Sequence, residues 1–393
     1  MKILVVGAGM YVTGRENSGV GTILSSLCEA SKKLPIDLVT VVARSKKNKD
    51  VVLSIVKRIN SIIGSSLNVD YYSLGDQKYQ KLDELNNLNK YDASIISIPD
   101  HLHYEYTKFM IERKIHTLVV KPYTLLLSEA EELYNLQRAN SVIGAVEFHK
   151  RYDITNLYIK RIINEKKLGK ILYFTVDYSQ KISIPLNTFK EWSFQTNIFQ
   201  YLGVHYVDLI FFLTGFIPYR VSAYGTIGVL CKRKIKTYDS IHAHILWKNP
   251  ENNEEEFLSQ FSTNWIDPVC TSALSDQKYK VIGTKGRIEC DQKNRGLEQV
   301  TEDAGIQSIN PFFSDYLPDK NGELHFTGYG YDSIHVFLND IIDLKQKIIT
   351  LDMLDECRPS FKQSIVSTSV IEKVNESLNR NSEWRDINVN VRS

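Results

Sequence analysis

Residues 4–22 read LVVGAGMYVTGRENSGVGT. An apolar strand runs into Gly7-Ala8-Gly9, and the third glycine of a dinucleotide turn is then missing, because position 12 is Val12. The two glycines present have a physical use directly after a strand. The first permits the tight turn, the second lets backbone approach a pyrophosphate, and the helix that follows offers its positive end. Met10 and Tyr11, next along the turn, are candidate cofactor contacts with Gly7, Ala8 and Gly9. The loop is extended through Thr13-Gly14-Arg15-Glu16-Asn17-Ser18, so the helix is expected to start near 19–22. Gly19 or Gly21 then takes the close helix contact, and Arg15 is offered to a phosphate, to the substrate or to solvent.

A lone Gly-x-Gly is weak, so the reading rests on what surrounds it. Strands KILVVG, DLVTVVA, VDYYS, DASIISIP, HTLVVK and VIGAVEF alternate with amphipathic helical stretches such as TILSSLCEASKKL and SEAEELYNLQRAN. Short apolar runs alternating with helices mean βαβ units and a parallel sheet covered on both faces. This predicts a doubly wound α/β domain over residues 1–145. After a helix ending at Gly169 the strands crowd together, as ILYFTVDYSQ, YRVSAYGTI, SIHAHILWK, EEFLSQFSTNWI, QKYKVIGTK and GRIECDQ. Such a run predicts a large, mostly antiparallel open sheet in an α+β domain over 146–393, interrupted by helix FQYLGVHYVDLIFFLTG. Helices YDSIHVFLNDIIDLKQ and FKQSIVSTSVIEKVNESLN close the chain.

A chain of 393 residues exceeds what one core organises, which supports two domains. The 48 basic and 46 acidic residues nearly balance, with no long block of either sign. That argues against a nucleic-acid or membrane surface. The five cysteines are scattered without a CxxC pair, so neither a disulfide framework nor a metal site is expected, and a reducing cytoplasm fits. No targeting or membrane-spanning segment is read.

At the end of the second strand, where NAD-preferring folds place an acid for the ribose, this chain has Ala43-Arg44-Ser45-Lys46. A guanidinium beside a hydroxyl can hold a 2′-phosphate that an acid would repel, which favours NADP(H) over NAD(H) while leaving NAD(H) possible. Stacking on adenine, or plain solvation, is the other use of Arg44.

Several motifs then follow in order: GAG at the first strand, IPDHLHYEY, VVKP, EFHKRYD, KKLGKI, GVHYVDLIFFLTG and a late GTKGRIE. Together they resemble the Gfo/Idh/MocA oxidoreductases, the family of glucose-fructose oxidoreductase and inositol dehydrogenase. The resemblance implies a Rossmann domain for NAD(P) and a second domain for substrate binding and oligomerisation. It also implies a homodimer or homotetramer paired through the C-terminal sheet.

The family usually carries Glu-Lys-Pro where this chain has Val120-Lys121-Pro122, and by resemblance Lys121 bonds the reacting oxygen of a sugar or polyol. Pro99 and His103 match a segment bordering the nicotinamide, with a helix-start role as the alternative for His103. His149 and Arg151 fall where relatives carry substrate-contacting residues. The family's Asp-x-x-x-His reads Tyr201 to His205 here, with Asp208 after it. Spacings of four and three predict Tyr201, His205 and Asp208 on one helical face.

A phenol, with a reference pKa of about 10, serves better as an acid than as a base, and a neighbouring ammonium such as Lys121 would bring it closer to use. The catalytic set Lys121, Tyr201 and His205 therefore points to an NADP(H)-dependent reductase of a keto-sugar, nucleotide-linked in the fuller reading. An NAD(P)-dependent dehydrogenase of a free sugar or inositol, with His205 as base, is the alternative. A non-catalytic dinucleotide-binding regulator is a further one. Trp192, Trp265 and Arg295 are open to sugar or nucleotide contact or to core and rim roles.

Overall fold

The computed structural model describes residues 1–14, 21–75, 90–252 and 254–389. Arg15 and Gly19 lie outside them. Six strands, β1 (Lys2–Val6), β2 (Leu38–Ala43), β3 (Val69–Ser73), β4 (Ala93–Ile96), β5 (His116–Val120) and β6 (Gly144–Glu147), form one parallel sheet. Its order is β3-β2-β1-β4-β5-β6, which reverses direction between β1 and β4, so the crevice for a ligand opens beyond their carboxyl ends. Helices α1 (Met10–Thr13), α2 (Thr22–Ala30), α3 (Asn48–Ile63), α4 (His103–Glu112) and α5 (Leu127–Ala139) lie along this part of the chain. Ile3, Val5, Val39, Val41 and Ile95 are fully buried in one cluster with Ile23, Leu24 and Leu27 of α2.

Helix α6 (Ile154–Asn164) opens the next unit. Strands β7 (Ile171–Lys181), β8 (Ile217–Thr226), β9 (Ser240–Lys248), β10 (Glu256–Asp267), β11 (Ser275–Gly283) and β12 (Gly286–Asp291) pair in the order β12-β11-β7-β10-β9-β8. Only β7 and β10 run parallel among these pairs, so the sheet is mostly antiparallel, as expected. Helix α7 (Val204–Thr214) crosses the strand sequence and buries Tyr206, Val207, Leu209 and Ile210 in that sheet's core. A short helix α8 (Val229–Lys232) precedes β9.

Two strand pairs were not anticipated: β13 (Leu297–Thr301) with β14 (Gly305–Ile309), and β15 (Asp315–Pro318) with β16 (Leu324–Thr327). Their residues are largely exposed, so no alternation of apolar and polar positions marks them. Helices α9 (Tyr329–Lys345), α10 (Leu351–Cys357) and α11 (Phe361–Leu378) follow, and β17 (Arg385–Asp386) joins β8 at the large sheet's edge.

The chain divides into two compact units that do not follow chain order. The first holds residues 1–123, 128–153 and 312–363, and the second holds 124–127, 154–311 and 364–393. The return of 312–363 to the first unit has a plain cause. Ile334, Phe337, Leu338 and Ile341 of α9 are buried in the same cluster as α2 and the parallel sheet.

Candidate active site

The glycine turn ends β1 in the first unit. Gly7 has φ +113°, and a Cβ there would stand 2.0 Å from the Ser97 carbonyl oxygen beyond β4, so only glycine fits. Gly9 is exposed and a Cβ on it would meet nothing within 4 Å. The space over Gly9 is thus open at the carboxyl edge, which fits the close approach of a dinucleotide's phosphates. Helix α1 begins at once, and Val12 and Thr13 donate their N–H groups back to the Gly9 carbonyl at 2.9 and 3.0 Å. A Cβ on Gly21 would lie 2.3 Å from the Val12 carbonyl oxygen and 2.5 Å from the Gly14 nitrogen. Gly21 therefore makes the close contact expected of a third glycine, against the α1 turn.

At the end of β2 the Arg44 side chain is exposed, while its carbonyl accepts the Ser73 hydroxyl at 3.0 Å. The Ser45 hydroxyl accepts the Lys47 N–H at 3.3 Å, and the Ser45 carbonyl accepts the Tyr71 hydroxyl. Among the described residues no acid pairs with the Arg44 guanidinium.

The carboxyl ends of β4, β5 and β6 lie side by side. Lys121, the residue after β5, is 7% exposed. Burial pulls its ammonium down to about 8, while Asp100 and then Glu147 pull it back up. Pro99 starts the turn that carries Asp100, which is buried. His103 is buried with Nδ1 2.6 Å from the Pro122 carbonyl oxygen and Nε2 2.9 Å from that of Ile98. Burial holds the ring's pKa below its ordinary value, while Asp100 and the two carbonyls pull it back up. His103 thereby fastens the segment after Lys121 to the end of β4.

Glu147, the last residue of β6, is 2% exposed. The Ser333 hydroxyl donates to its Oε1 at 2.7 Å, and His149 Nδ1 lies 3.1 Å from both carboxylate oxygens. Tyr11 is partly buried, with its hydroxyl enclosed near Glu147 and Thr22. Burial, then the Glu147 charge, raises that phenol well above its ordinary pKa. His149 stacks near Tyr329, Phe313 and Tyr11, with ring centroids 5.6, 5.1 and 6.4 Å away. Arg151 is buried, and its guanidinium donates to the Gln363 amide oxygen.

The structure thus gathers Gly7, Ala8, Gly9, Met10, Tyr11, Pro99, His103, Lys121 and His149 along one sheet edge. Asp100, Glu147, Ser333, Phe313 and Tyr329 belong to the same constellation and were not picked out from sequence. Glu147 carried a signal, an acid closing the apolar run VIGAVEF; Phe313, Tyr329 and Ser333 carried none, because they return from far along the chain.

Tyr201 and His205 belong to the second unit. Tyr201 lies outside the regular helix that carries His205 and Asp208. Residues Phe199–Gly203 form a π-helical turn, and α7 starts at Val204. Tyr201 packs on Phe189 and Trp265, at 4.8 and 5.8 Å between ring centroids, whereas His205 faces Tyr178 at 6.4 Å. His205 and Asp208, three apart within α7, are both buried. Trp265 is core: it is fully buried and its indole N–H donates to Gln180 at 2.9 Å. Trp192 packs on Phe189, and Arg295 donates to the Thr155 hydroxyl at 2.8 Å.

Residues 1–148 match a family model described as an oxidoreductase family with an NAD-binding Rossmann fold, and residues 156–289 match the GFO/IDH/MocA C-terminal domain. An uncharacterized oxidoreductase of Schizosaccharomyces pombe is 32% identical over 246 residues, covering 60% of this chain and 63% of that protein. The NADP(+)-dependent scyllo-inositol 2-dehydrogenase of Bacillus subtilis is 28% identical over 164 residues, 41% of this chain and 44% of that protein. The chain thus spans less than two thirds of the length of the curated relatives it matches here. Among solved structures, a myo-inositol 2-dehydrogenase from Lactobacillus plantarum superposes with TM-score 0.67 at 17% identity, covering 98% of this chain and 99% of that one. A scyllo-inositol dehydrogenase from Lactobacillus casei, with bound NAD(H) and scyllo-inositol, superposes with TM-score 0.64 at 16% identity, covering 98% of each chain. At such identities these structures establish the shared fold.

Proposed function

This chain belongs to the Gfo/Idh/MocA oxidoreductase family, and from that premise we propose that it is an NADP(H)-dependent oxidoreductase acting on a ring carbinol or ketone of a sugar or cyclic polyol. The observation that carries the reading is the sheet edge itself: an open glycine turn on β1 and a buried lysine at the end of β5. Gly7, Ala8, Gly9, Met10 and Tyr11 would hold the dinucleotide's phosphates, with Pro99 and His103 toward its nicotinamide end. When bound, the nicotinamide supplies or takes up the hydride. Lys121 donates a hydrogen bond to the reacting oxygen and stabilises charge building there. Tyr201 delivers the proton in the reductive direction, His205 is the base in the alternative dehydrogenase direction, and His149 and Arg151 serve substrate binding. Residues 1–145 are assigned to the cofactor and 146–393 to substrate and to homodimer or homotetramer pairing. Cytoplasmic residence is part of the proposal; no described helix is long and apolar enough to cross a membrane.

NADP(H) preference rests on Arg44, exposed where an acid would otherwise stand. Arg44→Ala should raise KM for NADP(H) about tenfold or more and leave NAD(H) nearly unaffected, since a charge-assisted bond to phosphate is lost. Equal use of both cofactors by the unaltered enzyme would remove this part of the reading. Two substrate readings are carried. Tyr201 in place of an aspartate favours ketoreduction of a keto-sugar, nucleotide-linked in the fuller form. The inositol dehydrogenases among the relatives favour a free polyol or sugar. Steady-state rates with NADP(H) and NAD(H) on inositols, free sugars and nucleotide-linked keto-sugars separate the two, and no turnover with any would overturn both.

A further inference from the structure

Three adjacent strands of the first unit end in charged groups of alternating sign. Asp100 stands in the turn after β4, Lys121 follows β5 and Glu147 closes β6, in the sheet order β4-β5-β6. Glu147 is the register partner of Val120, the residue immediately before Lys121. All three side chains are buried, at 4%, 7% and 2% exposure. An ammonium taken from water at this depth would ordinarily lose its proton unless opposite charge came with it. Here opposite charge stands on both sides, and one of the two carboxylates is fixed from behind. Ser333 of α9 and His149 both hold Glu147. Such support is what keeps a first-rank group in place at a working site.

We propose that Asp100 and Glu147 are positioning residues for Lys121. They form a carboxylate pair that keeps its buried ammonium protonated and aimed along the sheet edge, with Glu147 the anchored member. The assignment rests on the reading of Lys121 as the group at the reacting oxygen, and a charged lysine there can donate where a neutral amine would donate poorly. The other titratable groups facing the three are His103 from α4, Tyr11 from α1, and His149, Tyr152 and Tyr329 around Glu147. Burial holds His103 toward its neutral form and the Tyr11 and Tyr152 phenols toward theirs. The carboxylates are therefore the groups able to balance the ammonium.

The test is a pH titration of the full chain carrying 13C-labelled lysine ε-carbons, with the Lys121 resonance assigned by its loss in Lys121→Met. The midpoint for Lys121 is expected near 8 in the unaltered protein. Asp100→Asn and Glu147→Gln should each lower it by about one pH unit, and together by more, because each removes an attracting charge. Glu147→Asp, which keeps the charge, should stay near the unaltered value. Ser333→Ala leaves the carboxylate in place but loosens it, and should shift the midpoint the same way by less. It also serves if Glu147→Gln fails to fold. In turnover assays the alkaline limb of the kcat/KM profile should move to lower pH with the midpoint, while the dissociation constant for the dinucleotide stays within about twofold. A Lys121 midpoint unmoved by Asp100→Asn and Glu147→Gln overturns the assignment. So does an equal shift in Glu147→Asp, which would mark packing, not charge. The titration needs no substrate, so it separates failure of this assignment from failure of the substrate reading, which absence of turnover in the unaltered enzyme would show.

Discussion

His116 and Lys121 bracket the same strand, β5, and show what burial does to a titratable group at either end. His116 Nδ1 accepts the Ile143 N–H at 2.9 Å, so the fold uses the neutral ring, and burial pushes its pKa down to about 4. A group whose folded pKa is depressed below its unfolded value of about 6.5 leaves the unfolded chain with more bound protons in between, so stability falls as pH drops from 6.5 toward 4. With about 1.4 kcal/mol per unit, the ceiling is roughly 3 kcal/mol from this residue. His103 adds loss in the same direction. Urea midpoints at pH 7 and pH 4.5 should therefore differ clearly for the unaltered protein and less for His116→Gln, whose amide oxygen can still accept. An equal difference in both would assign the acid sensitivity elsewhere. A histidine opening an apolar strand gives no hint in sequence of which role it plays; only the Ile143 N–H distinguishes it.

Two glycines of one turn divide structure from function at the level of the element. Gly7→Ala would drive a methyl into the Ser97 carbonyl at a backbone angle that alanine resists, and should cost at least about 2 kcal/mol, read as a lowered melting temperature. Gly9→Ala meets open space, so the melting temperature should hold while affinity for the dinucleotide falls at least tenfold; the reverse pattern would reassign the turn. This turn was legible because strand, Gly-x-Gly and helix each leave a local signature. The six parallel strands were legible because their apolar runs alternate with helical periods, and the mostly antiparallel set because its strands crowd together with little between them. The π turn at residues 199–203 was not: it is written in the same kinds of residue as an α turn, and the contacts of Phe199 with Phe261 and of Tyr201 with Phe189 and Trp265 come from distant parts of the chain. Asp100 and Glu147 were overlooked for a related reason. Each stands a few residues before a histidine that drew the reading, and their nearness to Lys121 emerges only when β4, β5 and β6 are set in order.

For the molecule as a whole, chain order and compact units disagree, and the disagreement has energetic content. A cofactor-binding stretch of 1–145 contains every parallel strand but lacks α9, whose Ile334, Phe337, Leu338 and Ile341 are at most 3% exposed in that unit's core. It also lacks Ser360, whose backbone bridges Ala145, and Pro359, whose carbonyl accepts the Val146 N–H at 2.8 Å. Phe361 lies so close to β6 that a Cβ on Gly144 would stand 2.3 Å from its ring. Removing these groups exposes the apolar surface of α2 and leaves an edge of β6 unpaired, a defect that propensity along 1–145 does not repair. Residues 1–153 expressed alone should therefore melt without a cooperative transition and bind NADP(H) weakly. Joining 312–363 to them through a flexible linker should restore both. In the full chain Phe337→Ala should cost about 3–5 kcal/mol, the range for emptying an aromatic core site, and the loss should appear in the transition that NADP(H) protects. If residues 1–153 alone unfold cooperatively and bind the dinucleotide as the full chain does, the returning segment is dispensable and the first unit is complete without it.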